Sequence, residues 1–539
     1  MARTPYARVV VDFLVDDPIL LVFLVLGVGA GVGAFKVRGV SFGPAAALFV
    51  GLAVGALDEA FSGAIGLGLL REFGLVLFTY TVGLASGPTF LTGLKRGGAQ
   101  AIALTIGLVG MLAVMCAVVA EVLGLSSADR AGLFAGSTTN TPALQAAADA
   151  VEAGDPVVAY SLAYPSAVVA MLVVISLSLG RKLRLPPKLE PPPPAARSEA
   201  LVNWTVHITA GGLPTLGELQ RRYDGIGFSR IEHDGIVVIA STEHIPTPGD
   251  AVVALGPSEV VERFCRDVGD RSDHHLPLDR ATFDFRRILV SNRRLAGQYL
   301  ADLHLQSRYG VTVSRVRRGD DDLVATGTTQ LELGDRVRVV GPADRLGEVA
   351  KLFGDSERGL AQVDAFGFAI GIAGGLAVGA LTIPLPGDVS LRLGAGGGTL
   401  IVGLVLGMLS RTGPVTWQIP HGANLLLRQI GILMFLAAAG LGSGTTFADA
   451  LGTRAGVELF LAGVVVAFSF AVTIPFAVQL LLKRDVIVTA GMFTGIETQP
   501  AALAYANDRT AGDERVNAAY ALVFPVAMIT KIIVVQFLV

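Results

Sequence analysis

Ten apolar runs punctuate this chain, at roughly 18–35, 41–57, 73–91, 99–124 and 156–180, then 365–384, 395–410, 429–447, 455–482 and 515–538. Several approach the ~20 residues a helix needs to cross the hydrocarbon core of a bilayer. The pattern therefore predicts ten spanning helices. Two further segments, 131–150 and 488–508, are too short and too polar for a simple crossing, and each reads as a re-entrant or broken element. Between the two groups the rhythm changes. Residues 200–270 carry strand-like runs at 204–208, 236–240 and 251–255, with a short helical run near 215–223. Residues 283–353 repeat that plan, with strand-like runs at 287–290, 311–316 and 333–341 and a helical stretch at 296–304. In both copies a Gly-Asp turn (Gly249-Asp250, Gly334-Asp335) leads into a strand and then Gly-Pro. Two small α+β domains are expected there.

The apolar pattern is itself duplicated. The run L70-R-E-F-G…G83-L-A-S-G-P-T-F90 returns as L427-R-Q-I-G…G440-L-G-S-G-T-T-F447, offset by 357. A131-G-L-F-A-G-S-T-T-N-T-P-A-L returns as A490-G-M-F-T-G-I-E-T-Q-P-A-A-L, offset by 359, and Y160-S-L-A-Y-P as Y520-A-L-V-F-P, offset by 360. Chance matches in Gly- and Leu-rich sequence do not fall in one order three times. Duplicated membrane halves are characteristic of secondary transporters, whose substrate site lies where the halves meet.

Charge orients the halves. Lys36 and Arg38, Lys95 and Arg96, and Arg181, Lys182 and Arg184 follow the first, third and fifth runs, whereas Asp58, Glu59 and Asp129 follow the second and fourth. Arg411 and Lys483-Arg484 continue the alternation in the second half. The positive-inside rule puts both termini outside and residues 185–360 in the cytoplasm. Five spans per half is an odd number, so the second copy enters inverted. The expected fold is a polytopic α-helical membrane protein of two inverted repeats. Each repeat has about five spans plus one broken segment, and two α+β cytoplasmic domains lie between them. The domain boundaries are 1–183 for the first repeat, 184–199 for a Pro-rich linker favouring extended polyproline, 200–270 and 283–353 for the soluble domains, and 360–539 for the second repeat.

Composition narrows the class. Mean hydropathy is +0.61, only 16% of residues are charged and the net charge is −3, which gives no electrostatic footprint for nucleic acid. The two cysteines, Cys116 and Cys265, fall in different regions, so neither a disulfide nor a metal site is expected. Asp12, Asp16 and Asp17 precede the first apolar run, unlike a signal peptide. The glycine clusters at 27–33, 371–375 and 394–398 lie inside apolar runs, and no phosphate-loop motif with its Lys-Ser/Thr occurs. They suit close helix packing. Without an ATP-binding loop or a nucleophile–base constellation, neither a primary pump nor an enzyme is indicated.

The layout, and above all G-S-T-T-N-T-P-A-L, G-I-E-T-Q-P-A-A-L and the two Gly-Asp…Gly-Pro domains, resembles the aspartate:alanine exchanger family of bacterial transporters. That resemblance implies two membrane domains around two cytoplasmic TrkA-C (RCK-C) type domains. It also implies exchange of small amino acids or carboxylates across the cytoplasmic membrane, no cofactor, and a homodimer. A regulatory nucleotide such as cyclic di-AMP is a possible ligand of the soluble domains.

The candidate substrate site is built from the repeated segment. Thr141 suits an N-cap and Pro142 a first helical turn. Thr498 or Gln499 and Pro500 take those parts in the second copy. Two helix N-termini facing each other near the midplane would attract a carboxylate, and Ser137, Thr138, Thr139, Asn140 and Gln499 would add uncharged hydrogen bonds. The same residues could merely cap and pack broken helices. Arg71 and Arg428 begin matching apolar runs; an arginine at membrane depth is costly and usually faces a cavity or partner, although an interfacial arginine can snorkel instead. The family has an important arginine in this region, and Arg71 fits it. Glu497 has Thr138 as its counterpart and could bind an ammonium, carry a proton or pair with Arg71 or Arg428. Lys531, inside the last run, could snorkel or face the site, and Asp149 and Asp508 read as exposed helix-end charges. A channel gated by RCK-C-like domains and a membrane-anchored sensor are the alternatives. The first lacks a selectivity-filter motif, and the second leaves the duplicated halves unexplained.

Overall fold

The computed structural model describes residues 5–37, 40–41, 43–95, 98–151, 153–180, 201–223, 225–272, 276, 283–318, 321–357, 364–384, 390–510 and 513–539. The Pro-rich linker lies outside them. The chain divides into two compact units, one containing residues 1–191, 368–409 and 424–539, the other 192–367 and 410–423.

In the first unit every apolar run contains a helix. Six are long and apolar enough to cross a membrane: Leu67–Pro88, Ala99–Leu123, Pro156–Leu179, His421–Gly442, Arg454–Leu481 and Arg515–Val535. The other four, Pro18–Ala34, Ala45–Gly55, Ala365–Ala380 and Gly394–Leu409, have 11 to 17 residues. They fall short of the ~20 typical of a full crossing, so six of the ten expected spans are full-length helices among the described residues. Short hairpins flank the others: Lys36–Val37 pairs with Val40–Ser41, and Thr382–Pro384 with Ser390–Arg392. Large apolar side chains such as Val122, Phe476 and Leu480 are exposed at 72–78%, as a lipid-facing surface requires.

Glycines set how the long helices meet. A Cβ at Gly83 would lie 2.4 Å from the Leu400 carbonyl oxygen, and one at Gly440 would lie 2.3 Å from that of Leu48. Gly403 would meet the Tyr80 carbonyl at 2.6 Å and Gly51 that of Ala437 at 2.7 Å. These are one contact made twice, with the short helix of each half laid against the long helix of the other. Where the long helices cross, a Cβ at Gly74 would meet the Gly431 carbonyl and one at Gly431 the Gly74 carbonyl, both at 2.7 Å. Only glycine permits this backbone approach.

The second unit contains a five-stranded and a four-stranded antiparallel sheet. The expected strands are present. Gly227–His233 and the helices Ser258–Val268 and Ala343–Phe353 are additional. The helical stretch expected at 296–304 is instead a pair of short 3-10 turns, Arg293–Leu295 and Leu300–Leu303, before the helix Leu305–Tyr309. Gly297, at φ +79°, interrupts it and donates its N–H to the Leu331 carbonyl. The Gly-Asp turns are built alike. Asp250 accepts from the Thr247 N–H and Asp335 from the Glu332 N–H, at 2.7 and 2.8 Å. A side chain from the neighbouring strand completes each: His233 Nδ1 at 2.6 Å from Asp250, and the Arg318 guanidinium in two bonds to Asp335. The Asp250 hydrogen bond and charge hold the His233 imidazole above its ordinary pKa. Burial pushes Asp250 up, but its bonds from Thr247 and His233 outweigh that and leave it below the usual carboxylate range. Cys116 and Cys265 are both free and buried.

Candidate functional site

Each expected broken segment is a pair of short helices: Ser127–Ser137 with Thr141–Ala150, and Val486–Glu497 with Pro500–Arg509. The turn between them is identical in both halves. Asn140 N–H bonds the Ala135 carbonyl and Thr139 N–H that of Gly136; Gln499 N–H bonds Thr494 and Thr498 N–H bonds Gly495. This is a Schellman closure, which usually places glycine in the left-handed position. Here Thr139 and Thr498 occupy it, at φ 50° and 62°. A β-branched residue there is strained, and both copies keep it.

The two turns meet. Asn140 Nδ2 donates to Thr498 Oγ1 at 3.0 Å, and Gln499 Nε2 donates to Thr139 Oγ1 at 3.1 Å. At the offset of 359, Asn140 matches Gln499 and Thr139 matches Thr498, so each half makes to the other the bond it receives. Reciprocity of this kind is the mark of a two-fold contact. Thr498 Oγ1 also lies 3.4 Å from the Thr138 carbonyl. The flanking helices hold each pair through glycines: a Cβ at Gly136 would sit 2.7 Å from the Tyr160 carbonyl, and one at Gly495 would sit 3.0 Å from that of Tyr520.

Several expectations change by one position. Asn140, not Thr141, is the N-cap of the first short helix, its Oδ1 accepting from Ala143 N–H at 2.8 Å. The closed turn ends at Asn140 and leaves Thr141 as the first helical residue, its hydroxyl 3.4 Å from that of Tyr160. Pro142 is buried in the first turn. Thr498 ends the preceding helix, and Gln499 stands in the cap position before Pro500, its carbonyl accepting from Leu503 N–H. The side chains of Pro500 and Asp508 lie outside the described residues.

The junction is enclosed and incompletely satisfied. Ser137, Thr138 and Asn140 are at most 1% exposed, Thr498 is 5% and Glu497 is 0%. Among the described residues, Ser137 Oγ and both Glu497 carboxylate oxygens have no hydrogen-bond partner. Buried polar atoms are rarely left so unless something else visits them. Lys531, also 0% exposed, donates to the Ile496 carbonyl at 2.7 Å and to Thr498 Oγ1 at 3.2 Å.

The arginines are elsewhere. Arg71 is half-buried with its Nε unpartnered, and its charge reaches Asp149 rather than Glu497. Asp149 is exposed at the far end of the first short helix, as expected, and accepts from Gln145. A cavity of about 680 Å³ opens there, lined by Ser127, Asp149, Arg392 and Gln536 among others. Arg428 lies over the Phe78 ring at 5.9 Å, and its charge reaches the Tyr520 hydroxyl without a hydrogen bond of normal geometry. Tyr164, whose hydroxyl accepts from Gln499 at 3.3 Å, and Met528, whose sulfur lies 3.1 Å from Asn140 Nδ2, had no assigned part. The repeated Y-S-L-A-Y-P block was the available signal for Tyr164.

Compared with known families, residues 21–179 and 367–539 match the model described as a predicted permease membrane region, and residues 285–354 match a TrkA-C domain. Similar full-length proteins include an "uncharacterized transporter" of Geobacter sulfurreducens, 40% identical over 98% of this chain and 99% of its own. Two more are so named in Cutibacterium acnes, at 38% over 98% and 99%, and in Corynebacterium glutamicum, at 36% over 97% and 98%.

Proposed function

The chain belongs to the aspartate:alanine exchanger family of membrane transporters, and on that premise we propose that it exchanges small amino acids or carboxylates by alternating access. The substrate sits at the junction formed by Ser137, Thr138, Thr139, Asn140, Thr141 and Pro142 with Thr498, Gln499 and Pro500. The observation that carries this reading is the reciprocal pair Asn140–Thr498 and Gln499–Thr139. It places two helix starts together where backbone N–H groups and the helix dipole favour an anion. The unpartnered Ser137 hydroxyl gives it a further donor.

The two repeats are inverted about an axis through that junction and the Gly74–Gly431 crossing. Parity supports this. Each half has three long helices, and the count stays odd whether or not the two shorter ones cross as a pair. The soluble unit is cytoplasmic and consists of two TrkA-C-type domains, the second being the one the family comparison matches. Asp149 and Arg392 line the cavity at the far end of the first short helix and the charge of Arg71 reaches Asp149, so these groups flank the approach rather than the binding point.

The test is counterflow in proteoliposomes, screened over dicarboxylates and amino acids. Asn140→Ala and Gln499→Ala should each weaken apparent affinity by about 10- to 150-fold, the equivalent of a hydrogen bond to a charged group worth roughly 1.5–3 kcal/mol. Wild-type affinity in both variants would remove the site from the junction.

A further inference from the structure

Among the positions where the two halves of the junction differ, one difference is in charge. Glu497 matches Thr138 at the offset of 359, and Lys531 matches Met171 at the offset of 360. Both members of a buried charge pair are thus present in the second half and both are missing from the first.

The pair is not built as a structural ion pair. A stable buried bridge needs direct hydrogen bonds and satisfied lone pairs. Lys531 Nζ spends its donors on the Ile496 carbonyl and Thr498 Oγ1, at the C-terminal end of the Val486–Glu497 helix. The Glu497 oxygens receive nothing. Lys531 therefore has a sufficient role as a helix cap, whereas a fully buried carboxylate with two open oxygens has none and is too costly to keep charged and unpartnered.

What completes that carboxylate must be small and positive. Lys531, when protonated, sets a positive charge that reaches Glu497. A metal ion or an ammonium group would sit against it and would need room, while Glu497 has no exposed surface. A proton needs neither. The helix bearing Glu497 packs against Pro156–Gly180, which brings Tyr160 and Tyr164; Glu514–Val535, which brings Tyr520 and Lys531; Arg454–Leu481; and Pro500–Arg509. Arg454 and Arg509 on the last two are exposed, and Glu458 is half-buried at the end of its helix beside Arg454. Lys531 is the charge that acts on Glu497.

We propose that Glu497, beside Lys531, is a proton-loading site that couples substrate exchange to pH. This rests on the carrier reading of the junction. The Glu497 carboxylate takes one proton from water on the side to which the site is open, forming an O–H bond. The pair then carries a net positive charge next to Thr498, where an anionic substrate binds. The proton returns to water on the other side when the substrate leaves. By linkage, substrate favours the proton and the proton favours substrate by the same factor.

Two measurements decide this. Infrared pH titration of the purified protein without substrate should show a protonated-carboxyl band that titrates reversibly and is missing in Glu497→Gln; a wild type without such a band, or a variant that retains it, overturns the proposal. In proteoliposomes holding a pH-sensitive dye, labelled succinate, L-aspartate and L-alanine are the probes. Uptake of an anionic probe against luminal L-alanine, which returns without the proton, should acidify the lumen, and its apparent affinity should fall by up to about tenfold per unit rise in pH, the slope for one linked proton. In Glu497→Gln the slope and the acidification should vanish, and Lys531→Met should shift the infrared titration. Uptake that follows a sodium gradient, or acidification preserved in Glu497→Gln, overturns the proposal. If no probe enters, the carrier reading fails, and the infrared result still decides whether Glu497 takes a proton.

Discussion

At the scale of single residues, the junction stores strain in Thr139 and Thr498. A left-handed L-residue costs roughly 1–2 kcal/mol, comparable with the ~1 kcal/mol that its accepted hydrogen bond contributes. Glycine removes the strain and the bond together, whereas alanine removes only the bond. Thr139→Gly should therefore melt above Thr139→Ala in a thermal-shift assay, while both exchange more slowly than wild type. The reverse order of melting would show that the turn is unstrained. His233 gives a pH signature in the soluble unit. Its raised pKa means that its pairing stabilises the fold fully below about pH 6.5 and loses that effect as pH rises through the folded value. Asp250, depressed, contributes above about pH 3.9 and loses its effect as pH falls through its own folded value. The NMR titration of His233 should lie above that of a free histidine, and Asp250→Asn should bring it down. The histidine is 57% exposed, so the effect on melting is small.

At the scale of elements, glycine spacing fixes the fold. A Cβ at Gly440 meets backbone at 2.3 Å, which no rotamer change can relieve. Gly440→Ala should cost about 1–3 kcal/mol, as overpacking does, and should separate two helices that lie in different halves. Gly107, inside the Ala99–Leu123 helix, has nothing within 4 Å, and Gly107→Ala should be neutral or stabilising by up to about 1 kcal/mol. Equal melting temperatures for the two variants would contradict the crosswise packing. Much of this level was legible beforehand. The offset of 357 paired Gly83 with Gly440 in the sequence alone, and the polar breaks after residues 137 and 497 were evident. What each glycine touches was not, because the contacts run between halves that periodicity treats separately. The Thr141 cap was misplaced because Asn and Thr are both good caps, and only the Schellman closure decides between them. Lys531 is legible as a charge inside an apolar run that could snorkel or face the site, but its partner is a carbonyl 35 positions earlier, which leaves no mark in local pattern.

At the scale of the whole molecule, the remaining propositions concern sidedness and assembly. If the soluble unit is cytoplasmic, a cysteine placed at the exposed Tyr299 in a background lacking Cys116 and Cys265 should resist membrane-impermeant maleimide in sealed cells and react after lysis. Labelling from outside would reverse the orientation. We expect a homodimer, checked by light scattering in detergent with the detergent mass subtracted, because a carrier that moves its core gains from a fixed partner surface. A monomer with full exchange activity would refute that need.

The reciprocal contacts of Gly74 with Gly431, and of Asn140 with Thr498 and Gln499 with Thr139, bear on the thermodynamic resting point of the carrier. If two inverted halves were chemically identical, trading their conformations would turn the outward-open state into the inward-open one, and the two would be degenerate. Whatever preference the protein has for facing one compartment must then come from positions where the halves differ. Thr138 against Glu497 and Met171 against Lys531 are differences in charge among them. Installing glutamate and lysine at 138 and 171 while placing threonine and methionine at 497 and 531 would give a protein with that charge difference moved to the first half. Its resting orientation should invert, and protease or alkylation access would read that reversal directly.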